Sequence, residues 1–153
     1  MTTALTPEQV SFYQDNVYLF VENVVTGERL DRLRAITEEI VAGAAALSAS
    51  DDRLDLEASH RPEQPRVRRI NTPHQSWPFF MELARDPDVL APVRDLLGPD
   101  VRLYGSKLNM KSAAYGAPVE WHQDWAFYPH TNDDILATGI LLDDCDENNG
   151  PLL

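Results

Sequence analysis

From Thr6 to Leu97 apolar residues recur mostly at helical spacing, whereas from Val101 to Leu142 they fall in short, β-rich runs. This division constrains the fold more than any single motif, because helices first and strands afterward predict an α+β chain in which helices buttress an antiparallel sheet. Thr6-Pro7-Glu8-Gln9 reads as a helix start, with Thr as N-cap, Pro at the first helical position and Gln three residues on; the helix should run to about Asp15. Val17–Val21 reads as a strand. Thr26–Leu47 is the longest helical pattern, with Leu30, Leu33, Ile36, Ile40 and Val41 on one stripe. Ser48–Pro65 is polar and acidic and is predicted to be a loop, followed by a short strand over Val67–Ile70. Two helices are predicted at Trp77–Arg85 and Pro87–Leu97, the second bounded by Asp86-Pro87 and Gly98-Pro99. Strands are expected over Val101–Met110, Trp121–Trp125 and Leu136–Leu142, with a break at Tyr115-Gly116-Ala117-Pro118. The 153 residues fit a single domain, mainly helical over 1–100 and carrying the first core strands over 101–153.

The chain carries 13 Lys+Arg against 25 Asp+Glu, a formal charge of −12. That balance argues against nucleic acid or an anionic membrane as partner. The acidic residues form short clusters, such as Asp143-Asp144-Cys145-Asp146-Glu147, and read as solvated surface. A single cysteine, Cys145, allows no internal disulfide. No basic-then-apolar leader is visible and no apolar run approaches the ~20 residues that span a bilayer. The default is a cytoplasmic protein.

Trp121-His122-Gln123-Asp124 carries the chemistry. Side chains two apart on an extended segment share a face, so His122 and Asp124 offer an imidazole nitrogen and a carboxylate oxygen to one point. These are two of the three ligands in the 2-His-1-carboxylate facial triad of non-haem Fe(II). Gln123 should face away. Imidazole and carboxylate also suit Mn, Ni or Zn, which keeps a cupin-like enzyme of another metal open as a rival. His130, eight residues after His122, is the only later histidine; its polar, proline-flanked surroundings describe an excursion from the sheet rather than a ligand. His60 lies in the acidic loop and is expected to be solvated, and His74 sits between strand and helix, where substrate contacts occur. Cys145 has no neighbouring base and is not expected to act as a nucleophile.

Asn148-Asn149-Gly150 is a tight-turn signal, and Pro151-Leu152-Leu153 reads as the start of a return strand. An apolar strand entry at a chain end leaves an unpaired sheet edge. The expectation is a chain cut short.

Several blocks occur together in order: Lys107-Leu108-Asn109-Met110-Lys111, Gly116-Ala117-Pro118 leading into Trp121-His122-Gln123-Asp124, Leu141-Leu142-Asp143-Asp144, and Asn148-Asn149-Gly150-Pro151-Leu152. In this the sequence resembles the phytanoyl-CoA dioxygenase family, sharply over Val101–Leu153 and in layout over Thr6–Leu97. The resemblance implies a double-stranded β-helix (jelly-roll) core and an Fe(II)- and 2-oxoglutarate-dependent oxygenase. It further implies decarboxylation of 2-oxoglutarate to succinate, with O2 and a small molecule as the other substrates. His122 and Asp124 match the iron-ligand motif. Its carboxylate favours hydroxylation over halogenation, since relatives that halogenate leave that position open. Asn109, thirteen residues before His122, resembles a position that contacts 2-oxoglutarate. Its alternative role is to cap a strand end. Lys107 shares its face and is a candidate for cosubstrate or an acidic substrate. Lys111 reads as a solvated strand end. Trp121, Trp125, Phe127 and Tyr128 surround the ligands, with Tyr128 the candidate pocket lining. Family members continue to a later His and an Arg that are absent from this sequence. The contrasting reading is therefore a catalytically incomplete jelly-roll fragment or interaction protein. Substrate identity and oligomeric state do not follow from the sequence.

Overall fold

Thr6 opens the first helix by reciprocal capping: its hydroxyl accepts from the Gln9 N–H (3.2 Å) while Gln9 Oε1 accepts from the Thr6 N–H (2.9 Å). The helix, α1, spans Pro7–Asn16. The structure is a computed structural model that describes residues 4–113, 116, 120–128, 130–132 and 134–149. α1 buries no residue and is tied to the body by the Leu5 N–H, which donates to Asp95 Oδ2 at 2.7 Å. Val17, expected to begin a strand, is instead the left-handed C-cap of α1 (φ 58°, ψ 19°) and donates to the Tyr13 carbonyl. Val17–Val21 pairs with no strand among the described residues, and Phe12, Tyr18 and Phe20 meet edge-to-face on the surface.

α2 (Gly27–Gly43) follows the predicted stripe, burying Leu33, Ile36, Thr37 and Ile40. Thr37 is the polar member, and it satisfies its hydroxyl by donating to the Leu33 carbonyl at 2.8 Å. A 3-10 turn over Ala44–Ala46 ends the segment, with Ala44 fully buried.

The acidic stretch expected as a loop contains a strand, β1 (Leu54–Leu56). Three residues are too few to show a period, yet buried Leu54 anchors them in the core. The Asp51 carboxylate fixes the entry by accepting from the Leu54 N–H (2.7 Å) and the Arg53 N–H (2.8 Å). Those two bonds hold Asp51 below the usual carboxylate range. His60 is not solvated: its Nδ1 accepts from the Arg66 N–H (3.1 Å) and its Nε2 faces the Leu47 carbonyl (3.0 Å). A carbonyl only accepts, so the proton sits on Nε2 and the ring pins the loop at both ends.

β2 (Val67–Asn71) is the central strand of a three-stranded antiparallel sheet ordered β1-β2-β3, with β3 at Lys107–Asn109. A short helix, α3 (Pro73–Ser76), was not expected; α4 (Pro78–Ala84) and α5 (Pro87–Leu97) were. α5 is capped by Asp86, whose carboxylate accepts from the Asp88 N–H at 2.9 Å, and it ends at Gly98 (φ 102°), a conformation that needs glycine. Leu33, Ile36, Ile40, Leu54, Val67, Ile70, Phe80, Leu83 and Val89 form the core between the helices and one sheet face.

Of the strand expected over Val101–Met110 only β3 forms. Trp121–Trp125 and Leu136–Leu142 pair with no strand among the described residues. β propensity records fit to a pleated surface, and a partner must convert it into a ladder; β2 is that partner for Lys107–Asn109 alone. Leu136–Leu142 is held differently. Ile140 and Leu142 pack on the core, and Arg34 Nε–H donates to the Leu142 carbonyl at 2.7 Å. Asn149 N–H closes a turn on Asp146 at 3.2 Å. Tyr115, Ala117, Pro118 and the expected return strand at Pro151–Leu153 lie outside the described residues.

Candidate metal centre

Gln123 is extended (φ −106°, ψ 124°), which turns its neighbours His122 and Asp124 to one side as expected. The strand geometry stops there, because Asp124 opens a 3-10 turn over Asp124–Ala126 and its carbonyl accepts from the Phe127 N–H (2.9 Å). The result is His122 Nε2 at 3.3 Å from Asp124 Oδ1.

The other ring nitrogen decides what that contact is. His122 Nδ1 lies 2.7 Å from the Glu120 carbonyl oxygen. Since a carbonyl only accepts, Nδ1 carries a proton, and in the neutral form of the ring Nε2 is left with a lone pair. A lone pair and a carboxylate oxygen this close repel each other unless a cation lies beside both. Two ligand atoms at right angles, each about 2.1 Å from a metal, stand about 3.0 Å apart. The pair therefore fits one edge of a metal's coordination sphere. A second ring proton would convert the same contact into an ion pair, so proton and metal compete for one place. The side chains are 35% and 39% exposed, open to an incoming ion. The Phe127 ring stands edge-on to the imidazole at 5.7 Å and limits its rotation. Among the described residues no third His, Cys, Asp or Glu joins the pair.

His130 turns elsewhere: its Nδ1 meets the Tyr128 carbonyl and its ring packs on Tyr104 (4.9 Å) and Trp125 (6.3 Å). Tyr128 is half-buried with its ring edge-to-face with Tyr104 at 5.5 Å. A cleft of about 460 Å³ opens beside this cluster, lined by Tyr104, His130, Asp100, Arg102 and Asp134 among others. Trp121 (85%) and Phe127 (66%) are exposed, so these aromatics alone do not enclose the ligand pair. His74 Nδ1 is 2.6 Å from Ser106 Oγ, which ties α3 to the approach of β3. Cys145 is exposed. Lys107 is exposed on β3 opposite Asn71, and Asn109 Oδ1 accepts from Arg69 Nε–H at 3.0 Å. Sequence reasoning passed over Arg69, which strand register sets beside Asn109, and Asp55, which it sets beside Arg69.

Residues 13–153 match the family described as phytanoyl-CoA dioxygenase (PhyH). The chain is 36% identical over 145 residues, 95% of its length and 50% of the relative's, to a probable alpha-ketoglutarate-dependent hypophosphite dioxygenase of Stutzerimonas stutzeri. It is 31% identical over 155 residues, 98% of the chain and 48% of the relative, to an ectoine dioxygenase of Bordetella bronchiseptica. The chain thus spans about half the length of the curated relatives it matches. The crystal structure of EctD from S. alaskensis with bound Fe superposes with a TM-score of 0.67, at 24% identity, over 84% of this chain and 44% of that one, which establishes a shared α+β fold. Sequence blocks, fold and family match agree, and the chain belongs to the phytanoyl-CoA dioxygenase family.

Proposed function

We propose that the protein is an Fe(II)- and 2-oxoglutarate-dependent dioxygenase that hydroxylates a small molecule. The observation that carries this reading is the His122 Nε2–Asp124 Oδ1 pair, two metal-type donors 3.3 Å apart with the ring proton committed to Glu120. His122 and Asp124 would hold the iron. When bound, it supplies the centre at which 2-oxoglutarate and O2 meet. In the balanced reaction, one oxygen atom of O2 enters the substrate C–H bond as hydroxyl. The other enters the succinate formed as 2-oxoglutarate loses CO2.

The chain's own part is to bind and orient. Glu120 holds the His122 tautomer and Phe127 its plane, as the outer partners of metal ligands do. Asn109 and Lys107, on one face of β3, offer an amide and an ammonium suited to the carboxylates of 2-oxoglutarate. Tyr128, against Tyr104, would line the approach of the substrate. Hypophosphite and ectoine, named for two relatives, are chemically unlike, so substrate identity is not carried over. An exposed lone thiol and a ferrous site suit the reducing cytoplasm.

The test is an anaerobic titration of the intact protein with Fe(II) and then 2-oxoglutarate, following the visible charge-transfer band of the chelate. A one-to-one band that disappears in Asp124→Ala is the expected result. A folded protein that gives no band would overturn the reading in favour of a non-catalytic jelly-roll or interaction protein.

A further inference from the structure

Three residues form a row across the sheet. Asp55 of β1 is the register partner of Arg69 on β2, and Arg69 is the register partner of Asn109 on β3. The Arg69 guanidinium spans the row, with Nη1 3.8 Å from Asp55 Oδ2 and Nε–H donating to Asn109 Oδ1 at 3.0 Å. Asp55 is fixed in turn, since its Oδ1 accepts from Asn71 Nδ2 at 3.0 Å. Guanidinium nitrogens only donate, so the Asn109 atom facing Arg69 must be the amide oxygen. The amide is thereby held with its NH2 group on the side away from Arg69, as a donor to whatever approaches the edge of β3. Asp55 neutralises the guanidinium, so the row passes on an oriented dipole rather than a net charge.

We infer that Arg69, held by Asp55, is a positioning residue that fixes the Asn109 amide to donate to a carboxylate of the cosubstrate. The inference rests on the proposed function, in which Asn109 meets 2-oxoglutarate. Without the Arg69 bond the amide turns freely about its last side-chain torsion and can present its oxygen to an anion, which repels it. The row thus runs from both outer strands through Arg69 on the central one.

The experiment measures the Kd of 2-oxoglutarate by anaerobic calorimetry on the Fe(II)-loaded intact protein, with the Fe(II) Kd as control. Asn109→Ala should weaken 2-oxoglutarate about tenfold, the scale of one hydrogen bond to a charged group, and Arg69→Met about two- to threefold, since a freely turning amide still has a donating orientation; both leave the Fe(II) Kd unchanged. The double variant should be no weaker than Asn109→Ala alone, because Arg69 acts only through the amide. Arg69→Lys, which keeps a donor, should recover most of the affinity. Asn109→Asp keeps the bond to Arg69 but turns an oxygen outward, so it should bind more weakly than Asn109→Ala; this variant decides the matter if Arg69→Met does not fold. Equal affinity in Asn109→Asp and Asn109→Ala overturns the inference, as does an additive double variant. A loss in Asn109→Ala with none in Arg69→Met also overturns it and leaves the proposed function standing. No loss in Asn109→Ala removes Asn109 from the cosubstrate site, and the inference falls with that assignment.

Discussion

The helical body over residues 5–97 and the segment over residues 98–149 are made by different rules. In the first, helix ends carry local signals: a capping box begins α1, and Asp86 and Gly98 bound α5. In the second, side chains able to do chemistry are frequent while backbone pairing is sparse, with β3 the only strand among the described residues. His122, Asp124, Trp125, Phe127, Tyr128 and His130 touch mainly one another, Tyr104 and the carbonyls of near neighbours. Stability is therefore concentrated in the body and chemistry in the segment laid over it. Polar ties join the two: the β2–β3 ladder, Arg69 to Asn109, His74 to Ser106, and Arg34, which reaches from α2 to the Leu142 carbonyl.

Exchanging single residues across that divide gives the largest expected contrast. Ile70, fully buried on the central strand β2, should cost about 2–5 kcal/mol when cut to Ala, from lost burial plus the cavity left behind. His122→Ala should change stability by no more than about 0.5 kcal/mol, since the residue is exposed and its partners are local, while turnover in the intact protein is lost. Denaturant unfolding of the two variants checks both halves. Comparable destabilisation would break the division, showing that the His122 region carries core energy.

What was legible in the sequence follows the same divide. α1, α2 and α5 were read to within a few residues because caps and a 3.6-residue period are local signals. β1 was missed because three residues have no period, and the strand reading of Leu136–Leu142 failed because propensity does not supply a partner. The His122–Asp124 juxtaposition was legible, although the structure reaches it by one extended residue and a 3-10 turn rather than a strand. The Asp55–Arg69–Asn109 row was not, since residues 55, 69 and 109 meet only through register.

A smaller effect is expected where α5 meets α2. Asp86 caps α5, pairs with Arg29, and stands near Asp88, which Arg29 also reaches at 3.1 Å. Burial pushes the Asp86 carboxyl up, but the Asp88 N–H and the Arg29 guanidinium together outweigh it and hold the group below its ordinary range. A carboxylate depressed in the folded state contributes stability above its unfolded pKa, and that contribution is lost as pH falls through the folded value. Arg29 is raised by Asp88 and Asp86, so its share is lost only far above neutrality. Asp86→Ala should cost about 1 kcal/mol at neutral pH, mostly the lost cap because the ion pair is partly solvated. The gap to wild type should close in acid, as pH falls through the lowered folded-state pKa of Asp86. A gap that persists in acid would mean that packing, not the ionised cap, joins the two helices.

The smallest effect tests Val17–Val21, where the sequence pointed to a strand and the structure has a helix cap instead. Val17 is β-branched, 82% exposed and left-handed at φ 58°. A side chain in that region costs about 1–2 kcal/mol, because Cβ crowds the neighbouring carbonyl. Glycine removes the crowding but adds about 0.5–1 kcal/mol of freedom to the unfolded chain. With little packing to lose, Val17→Gly should stabilise the protein by about 0.5 kcal/mol, read as a small upward shift of the thermal midpoint. The sign decides the point. If Val17–Val21 were a strand, glycine at its start would weaken it and lower the midpoint. A rise shows that the helix C-cap, a local device like the rest of the body, wins over β propensity at this position.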